Sequence, residues 1–249
     1  MKKLVSATTS QMREIDRVVT QEYGLQIVQM MESAGRSLAR LCRLMLDGNV
    51  EERRILVLAG GGKNAGGGLA AARNLRNWGA NVEVALAVRD DSLKRSVVVQ
   101  FNVLESMRVP FVEASTLRLE EILGFDLIVD ALLGYGIEGD PAAEFAHVIR
   151  LTNESKKPVV ALDIPSGLDA STGKPFDPCI KASATMTLAV PKSGLLESAA
   201  AGFVGELWLA DIGIPPEVLL KVGLEGENPF IEDDLVLLHR KKKAVAITA

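Results

Sequence analysis

Two stretches near the start of the chain carry apolar residues at helical spacing. Thr8–Glu22 places four apolar residues on one face (Met12, Ile15, Val18 and Val19), and a longer stretch of the same kind follows at Ile27–Asp47. Thr9 or Ser10 offers the short polar side chain that caps a helix, so we expect the first helix to begin there. Glycine costs about 1 kcal/mol relative to alanine inside a helix. Gly35 in the second helix therefore predicts that another backbone approaches it closely.

After Gly48 the pattern changes to short apolar runs that alternate with helical stretches. The runs predict strands at Ile55–Ala59, Asn81–Val88, Val109–Val112, Asp126–Asp130, Pro158–Leu162, Ala184–Ala189 and Glu206–Leu209. Helices are predicted at Gly68–Trp78, Ser92–Met107, Leu119–Leu123 and Pro141–Asn153. Strands that are apolar throughout and alternate with helices indicate an α/β fold with a parallel sheet covered on both faces. We see no linker or internal repeat, and we expect one domain over residues 1–249 with a basic tail at 239–249.

Six glycines stand in nine positions directly after the first of these strands. They are Gly60, Gly61, Gly62, Gly66, Gly67 and Gly68. Strand, glycine loop and helix form the arrangement that presents backbone N–H groups to a phosphate, so we interpret the segment as a ligand loop. The alternative is a tight turn that lets the strand and helix pack closely. Gly60-x-Gly62-x-x-Ala65 fits a dinucleotide fingerprint, but no acidic residue ends the next strand as that motif requires.

Two aspartates end predicted strands, where open α/β sheets bind ligands. Asp130 is followed by Gly134 and Gly136, and Asp163 is followed by Pro165 and Ser166. A pair of carboxylates at one sheet edge can share a cation or a proton-transfer task. The alternative for each is a turn or capping aspartate. Lys192, after a later strand, either reaches a phosphate or carboxylate at this edge or is a solvated surface lysine.

Composition narrows the classes of function. The net charge of −4 excludes a broad basic surface for nucleic acid, although the HRKKK run begins at His239. Two cysteines and two histidines without ligand spacing give no disulfide framework or zinc site. The chain shows no signal peptide and no apolar run of membrane-spanning length, so we expect a cytoplasmic protein without a membrane partner.

Six segments together resemble the NAD(P)H-hydrate epimerase family, the N-terminal half of bifunctional nicotinamide nucleotide repair proteins. The resemblance covers residues 8–212 and is carried by MREID at 12–16, MESAG at 31–35, the glycine loop, VDALLG at 129–134, DIPSGLD at 163–169 and PKSGL at 191–195. It implies a Rossmann-like three-layer α/β/α sandwich. The implied activity is an isomerase of metabolite repair, which interconverts the R and S hydrates of NADH and NADPH.

The resemblance also implies residue roles. One potassium ion per subunit would be held by Asn64, Asp130 and Ser166, and Asp163 would be the catalytic acid and base. Nucleotide-binding residues would be Lys63, Asn64, Ala65, Gly66, Gly67, Gly134, Tyr135, Gly136, Ile137, Glu138, Gly139, Asp140, Asp163 and Lys192. The resemblance further implies a homodimer and a dehydratase that uses both hydrates. Because the chain ends about where the family domain ends, we expect that dehydratase to be a separate protein.

The glycine loop departs from the family's pattern. Lys63 stands in place of an asparagine, Ala65 in place of a glycine, and Gly67 in place of an aspartate that would contact the nucleotide. Ser33 also replaces an asparagine. A lysine ammonium near the ion site could occupy or repel the cation, or could bind a phosphate. Three readings follow: an epimerase with an altered loop, a non-catalytic binding module like the family's mRNA-decapping relatives, or an enzyme for another nucleotide or phosphate.

Overall fold

The computed structural model describes residues 4–241 and 244–247, in which the chain forms a mostly parallel sheet between two layers of helices. The strands are β1 (Arg54–Ala59), β2 (Asn81–Leu86), β3 (Phe111–Glu113), β4 (Leu127–Ala131), β5 (Val159–Leu162), β6 (Ala184–Leu188), β7 (Glu206–Ala210), β8 (Leu235–Lys241) and β9 (Ala244–Ile247). The helices are α1 (Thr9–Gln21), α2 (Ile27–Met45), α3 (Lys63–Asn77), α4 (Arg95–Ser106), α5 (Leu119–Ile122), α6 (Ala143–Ser155), α7 (Ser193–Leu196), α8 (Ala201–Val204) and α9 (Pro216–Lys221). No helix in these residues is long and apolar enough to cross a bilayer.

The strand order is β3-β2-β1-β4-β5-β6-β7-β8-β9. The first seven strands are parallel, and β8 and β9 are antiparallel to their neighbours. The chain runs outward from β1 to β3 and then returns to β4 on the other side of β1. This reversal creates a crevice at the carboxyl ends of β1 and β4, the place where such sheets bind ligands.

Alternate side chains of the central strands pack into two separate hydrophobic cores, one on each face of the sheet. Val57 of β1 packs in the core under α2, α3 and α4. Leu56 packs in the opposite core under α5 and α6. The strands are buried on both faces because helices cover both, which explains their continuous apolar runs. The predicted three-layer α/β/α sandwich with two N-terminal helices is confirmed.

Helix α3 begins five residues earlier than predicted. It starts at Lys63, so Gly66, Gly67 and Gly68 are helical residues rather than loop. A Cβ on Gly68 would lie 2.4 Å from Ala131 Cβ, and one on Gly66 would lie 2.5 Å from Met31. These two glycines let α3 pack against β4 and α2. For Gly66–Gly68 the structure therefore supports the alternative that the glycines allow close packing of helix and strand. Gly35 has the predicted function, since a Cβ there would lie 2.4 Å from Ala70 Cβ on α3.

Two smaller expectations were wrong. The cap of α1 is Thr8, whose Oγ1 accepts from Gln11 N at 3.3 Å while Gln11 Oε1 accepts from Thr8 N at 3.0 Å. This reciprocal pair was missed because Thr9 and Ser10 offered equally suitable side chains. The tail expected at 239–249 instead contributes to β8 and β9, where antiparallel pairing extends the sheet. Residues 242, 243, 248 and 249 of that segment lie outside the described residues.

Candidate active site

A cavity of about 580 Å³ lies over the crevice at the carboxyl ends of β1, β4, β5 and β6. Its apolar wall comes from α1 and α2, with Met12, Met30 and Met31 among the contributors. The opposite wall comes from the Gly61–Gly62 turn and the loop that follows β4. Asp163 and Lys192 lie among the residues that line it, after β5 and β6. The fold thus brings segments far apart in sequence around one chamber, which we call the main cavity.

Asp163 and Lys192 form a buried ion pair in this cavity. Lys192 Nζ donates to Asp163 Oδ1 and also to the carbonyl oxygen of Leu188 at 3.0 Å. The two side chains are 6% and 1% exposed. A charge removed from water needs a partner of opposite sign, and each residue supplies one for the other. Of the two alternatives for Lys192, the structure shows the one that reaches a carboxylate.

Unusual backbone turns lie at Asp163 and shortly before Lys192. Asp163 has φ 67°, and its neighbours close an i→i+2 hydrogen bond from Ile164 N to the carbonyl oxygen of Leu162 at 2.8 Å. Ala189 after β6 repeats the pattern with φ 59°. Such turns are rare and cost of order 1–3 kcal/mol for a non-glycine residue. Two of them lie side by side at the ends of β5 and β6, which favours this edge of the sheet as a candidate site.

The three predicted ion ligands lie together beside the cavity. Asn64 Nδ2 donates to the carbonyl oxygens of Leu133 and Leu162, both at 3.1 Å. Ser166 Oγ accepts from Leu133 N at 3.0 Å and donates to Asp130 Oδ1 at 2.6 Å. Only Asn64 of the three lines the main cavity, since Asp130 and Ser166 are fully buried behind it.

Asp130 is a buried carboxylate whose hydrogen-bond partners among residues 4–241 and 244–247 are all neutral. Its oxygens accept from Ser166 Oγ, from Ser166 N at 2.8 Å and from Leu132 N at 3.3 Å. Burial raises the pKa of Asp130 to about 6, and the hydrogen bonds from Ser166 and Leu132 oppose that rise. A nearby cation would favour the charged form.

The donor set suits a hard, singly charged cation. The Asn64 amide contacts two carbonyl oxygens, and the hydroxyl of Ser166 joins one of those residues, Leu133, to the carboxylate of Asp130. The amide oxygen of Asn64 would be a further ligand if the amide were turned over. In the described residues no three His, Cys, Asp or Glu side chains come together as a metal cluster. A single carboxylate with neutral oxygens is the set expected for an ion of low charge, so these residues fit the potassium ion that the resemblance implies.

Lys63 does not point at this ion site. Its Nζ donates to Asp16 Oδ2 on α1 at 2.7 Å, and the hydroxyl of Tyr135 donates to the same oxygen at 2.7 Å. Burial, with the carboxylates of Asp16 and Asp163 nearby, raises the pKa of Tyr135. The charge of Lys63 is thus neutralised by Asp16, which removes the conflict that a lysine in the loop posed for a bound cation.

The other predicted nucleotide-binding residues divide into two groups. Gly67, Gly134, Gly136 and Ile137 line the main cavity with Lys63, Asn64, Tyr135, Asp163 and Lys192. Ala65 and Gly66 are buried in the packing of α3 and do not line it, and neither do Glu138, Gly139 and Asp140, which are exposed. The carboxylate of Glu138 instead pairs with Arg13 at 3.0 Å, and Asp140 Oδ1 accepts from Asp177 N at 2.9 Å.

The position of Gly67 shows what the loop's departure from the family changes in the cavity. A Cβ here would lie 2.8 Å from Leu162 Cδ2, so an aspartate would require Leu162 to shift. Because residue 67 is glycine, the cavity is wider beside Leu162 and lacks the carboxylate that an aspartate would place there.

Sequence reasoning missed several cavity residues. Arg13, Asp16, Lys94 and Ile212 line it without having been assigned a role. Arg13 and Asp16 belong to the MREID string, which carried the resemblance, and their i, i+3 spacing places both on one face of α1. That spacing is the signal that could have found them.

Comparison with known proteins finds a sequence profile, curated proteins and a solved structure that match most of the chain. The sequence profile described as "YjeF-related protein N-terminus" matches residues 28–194. A protein of Dehalogenimonas lykanthroporepellens named NAD(P)H-hydrate epimerase is 41% identical over 93% of this chain and 91% of its own length. A protein of Moorella thermoacetica named bifunctional NAD(P)H-hydrate repair enzyme Nnr is 37% identical over 85% of this chain but only 41% of its own length. The crystal structure of yeast YNL200c shares the fold, with a TM-score of 0.81, 24% identity and coverage of 94% of this chain and 100% of that one.

Proposed function

The chain belongs to the family of YjeF-related protein N-termini, and on that premise we propose that it is an NAD(P)H-hydrate epimerase. The reaction is the interconversion of the R and S hydrates of NADH and NADPH in nicotinamide nucleotide repair. The observation that carries the proposal is the buried Asp163–Lys192 pair in the main cavity, beside the Asn64, Asp130 and Ser166 cluster. A non-catalytic module would have no need to keep two charges buried and two strained turns in one cavity.

Asp163 performs the proton transfers in this proposal. The hydrated carbon carries its hydroxyl next to the ring nitrogen, whose lone pair forms a C=N bond as the C–O bond breaks. Asp163 acts in its protonated form, having taken a proton from water, and gives that proton to the departing oxygen, which leaves as water. When water adds to the other face of the ring, the carboxylate takes a proton back, so no proton is consumed.

Lys192 stabilises the carboxylate that remains after Asp163 has delivered its proton. Its ammonium is bound to Asp163 Oδ1, which leaves Oδ2 on the side of Gly134, 3.8 Å from the point where a Cβ of Gly134 would lie. A fixed charge in a site shielded from water acts at full strength without reorganising during the reaction. The apolar wall of α1 and α2 supplies that shielding.

Asn64, Asp130 and Ser166 would hold a potassium ion, with carbonyl oxygens of Leu133 and Leu162 beside them. The ion would supply a fixed positive charge next to the nucleotide. Asp130 and Ser166 hold the loop after β4 through Leu132 N and Leu133 N, so this cluster also fixes the wall that carries Gly134 and Tyr135.

The nucleotide-binding roles assigned by resemblance fit best at Lys63, Gly67, Gly134, Tyr135, Gly136 and Ile137, which line the cavity. Ala65, Gly66, Glu138, Gly139 and Asp140 would contribute at most through the backbone or at the cavity rim. The homodimer, the separate dehydratase partner and the cytoplasmic location stay predictions.

Equilibration of the R and S hydrates of NADPH tests the proposal. Starting from one purified epimer, the wild-type protein with potassium is expected to speed its conversion well beyond the spontaneous rate. Asp163→Asn, which keeps the shape of the side chain, is expected to lose this acceleration while its circular dichroism spectrum stays unchanged. Nucleotide binding without any acceleration by the wild type would favour the non-catalytic module instead.

A further inference from the structure

Asp16 of α1 joins three elements that bound the main cavity. Its Oδ2 accepts from Lys63 Nζ, at the first residue of α3, and from the hydroxyl of Tyr135, in the loop after β4. Both distances are 2.7 Å. That length is typical of a charge-assisted bond from the lysine and ordinary for a hydroxyl donor to a carboxylate. All three residues line the cavity, and Asp16 is partly shielded at 22% side-chain exposure.

The loop after β4 is attached to α1 at a second point. Arg13, one turn before Asp16 on the same face of α1, pairs with Glu138 at 3.0 Å. This pair is 58% and 82% exposed and is therefore a weak contact. The Asp16–Tyr135 bond is the better shielded of the two, and it lies next to Gly134, which faces Asp163.

We propose that Asp16 is a positioning residue of the epimerase site: through the Tyr135 hydroxyl it holds the loop after β4 against the reacting ring beside Asp163. The inference rests on the proposed function. Tyr135 lies close enough to Asp163 that the carboxylate helps to keep the phenol protonated. The hydroxyl therefore remains a donor to Asp16 in the range where the enzyme works, and the aromatic ring forms a fixed wall of the site.

Two substitutions at Asp16 distinguish the effect of its hydrogen bond to Tyr135 from the effect of its ion pair with Lys63. Alanine removes the acceptor for Tyr135 and the counter-charge of Lys63 together. Asparagine removes the charge but keeps an oxygen that can accept from Tyr135. If orientation of Tyr135 is what Asp16 provides, Asn rescues catalysis and Ala does not. If neutralising Lys63 is what matters, Ala and Asn are equally harmful.

The experiment measures kcat and KM for epimerisation of NADPH hydrate by the potassium-loaded full chain. We expect Asp16→Ala and Tyr135→Phe each to lower kcat about tenfold, since small misplacements at a reacting centre are costly. The double variant is expected to lose no more than either single variant, because both remove one bond. KM is expected not to rise in Asp16→Ala, because the freed Lys63 attracts the anionic nucleotide.

Glu14→Gln is the matched control, since it removes a carboxylate from the same helix outside the cavity. Glu14 pairs with Arg17 on the surface, so kcat and KM should equal those of wild type. Asp16→Asn should keep kcat within about threefold of wild type, because a neutral acceptor retains most of the positioning. An unchanged kcat in Asp16→Ala, or equal losses in the Ala and Asn variants, would overturn the inference alone. An inactive wild type would overturn the proposed function, and the inference would fall with it.

Discussion

Replacement of Lys192 by methionine is the perturbation whose cost follows most directly from the structure. Methionine has a similar length but no charge, so Asp163 would keep its carboxylate, 6% exposed, without a cation. In the described residues Lys192 is the one Lys or Arg recorded within ion-pair distance of Asp163. Removing one partner of a buried pair costs about 3–5 kcal/mol. For a domain of this size that corresponds to a fall in Tm of roughly 6–20 °C.

Urea unfolding at pH 7 and 25 °C, followed by circular dichroism, measures this cost. Lys221→Met is the matched control, because Lys221 pairs with Glu22 on the surface at 50% and 37% exposure. Its loss should be at most about 1 kcal/mol. The double variant Asp163→Asn with Lys192→Met should be more stable than Lys192→Met alone, since no buried charge remains. A loss below about 1 kcal/mol in Lys192→Met would refute the claim that the pair is buried and mutually dependent.

Two further predictions concern the buried carboxylate and the packing glycines. The pKa of Asp130 is raised from its ordinary value to about 6. Without potassium, the free energy of unfolding should therefore fall as the pH rises from about 4 to about 6, and the gain in Tm from potassium should grow as the pH rises through about 6 and then level off. Asp130→Asn should abolish both effects in thermal melts, and their persistence would remove Asp130 from the ion site. Gly68→Ala should cost about 1–3 kcal/mol in urea unfolding because its Cβ would clash with Ala131. Gly202→Ala, in open space within α8, should cost nothing, and equal effects would contradict the packing argument.

The strands of the sheet could be predicted because burial on both faces leaves continuous apolar runs in the sequence. The start of α3 could not be predicted, because glycine has a low helix propensity and a run of glycines is typical of a loop. Tertiary packing outweighs that preference here, because a Cβ on Gly68 would clash with Ala131 Cβ of β4. β8 was missed because its charged end looked like a solvated tail.

The site was predictable where a residue ends a strand. Asp130 and Asp163 were found that way, because the carboxyl ends of parallel strands meet at one edge. Spacing alone could not decide whether Lys192 is buried or solvated, since its partner lies 29 residues earlier in the chain. The role of Lys63 was equally hidden, because Asp16 reaches it from a helix outside the sheet.

We propose that Asp163, paired with Lys192, catalyses exchange of the two hydrates. The most direct measurement follows one purified epimer of NADPH hydrate by chromatography, with wild type and with Asp163→Asn at equal concentration. Rapid equilibration is expected with wild type, and only the spontaneous rate with the variant. Equilibration by Asp163→Asn at the wild-type rate would contradict this proposal.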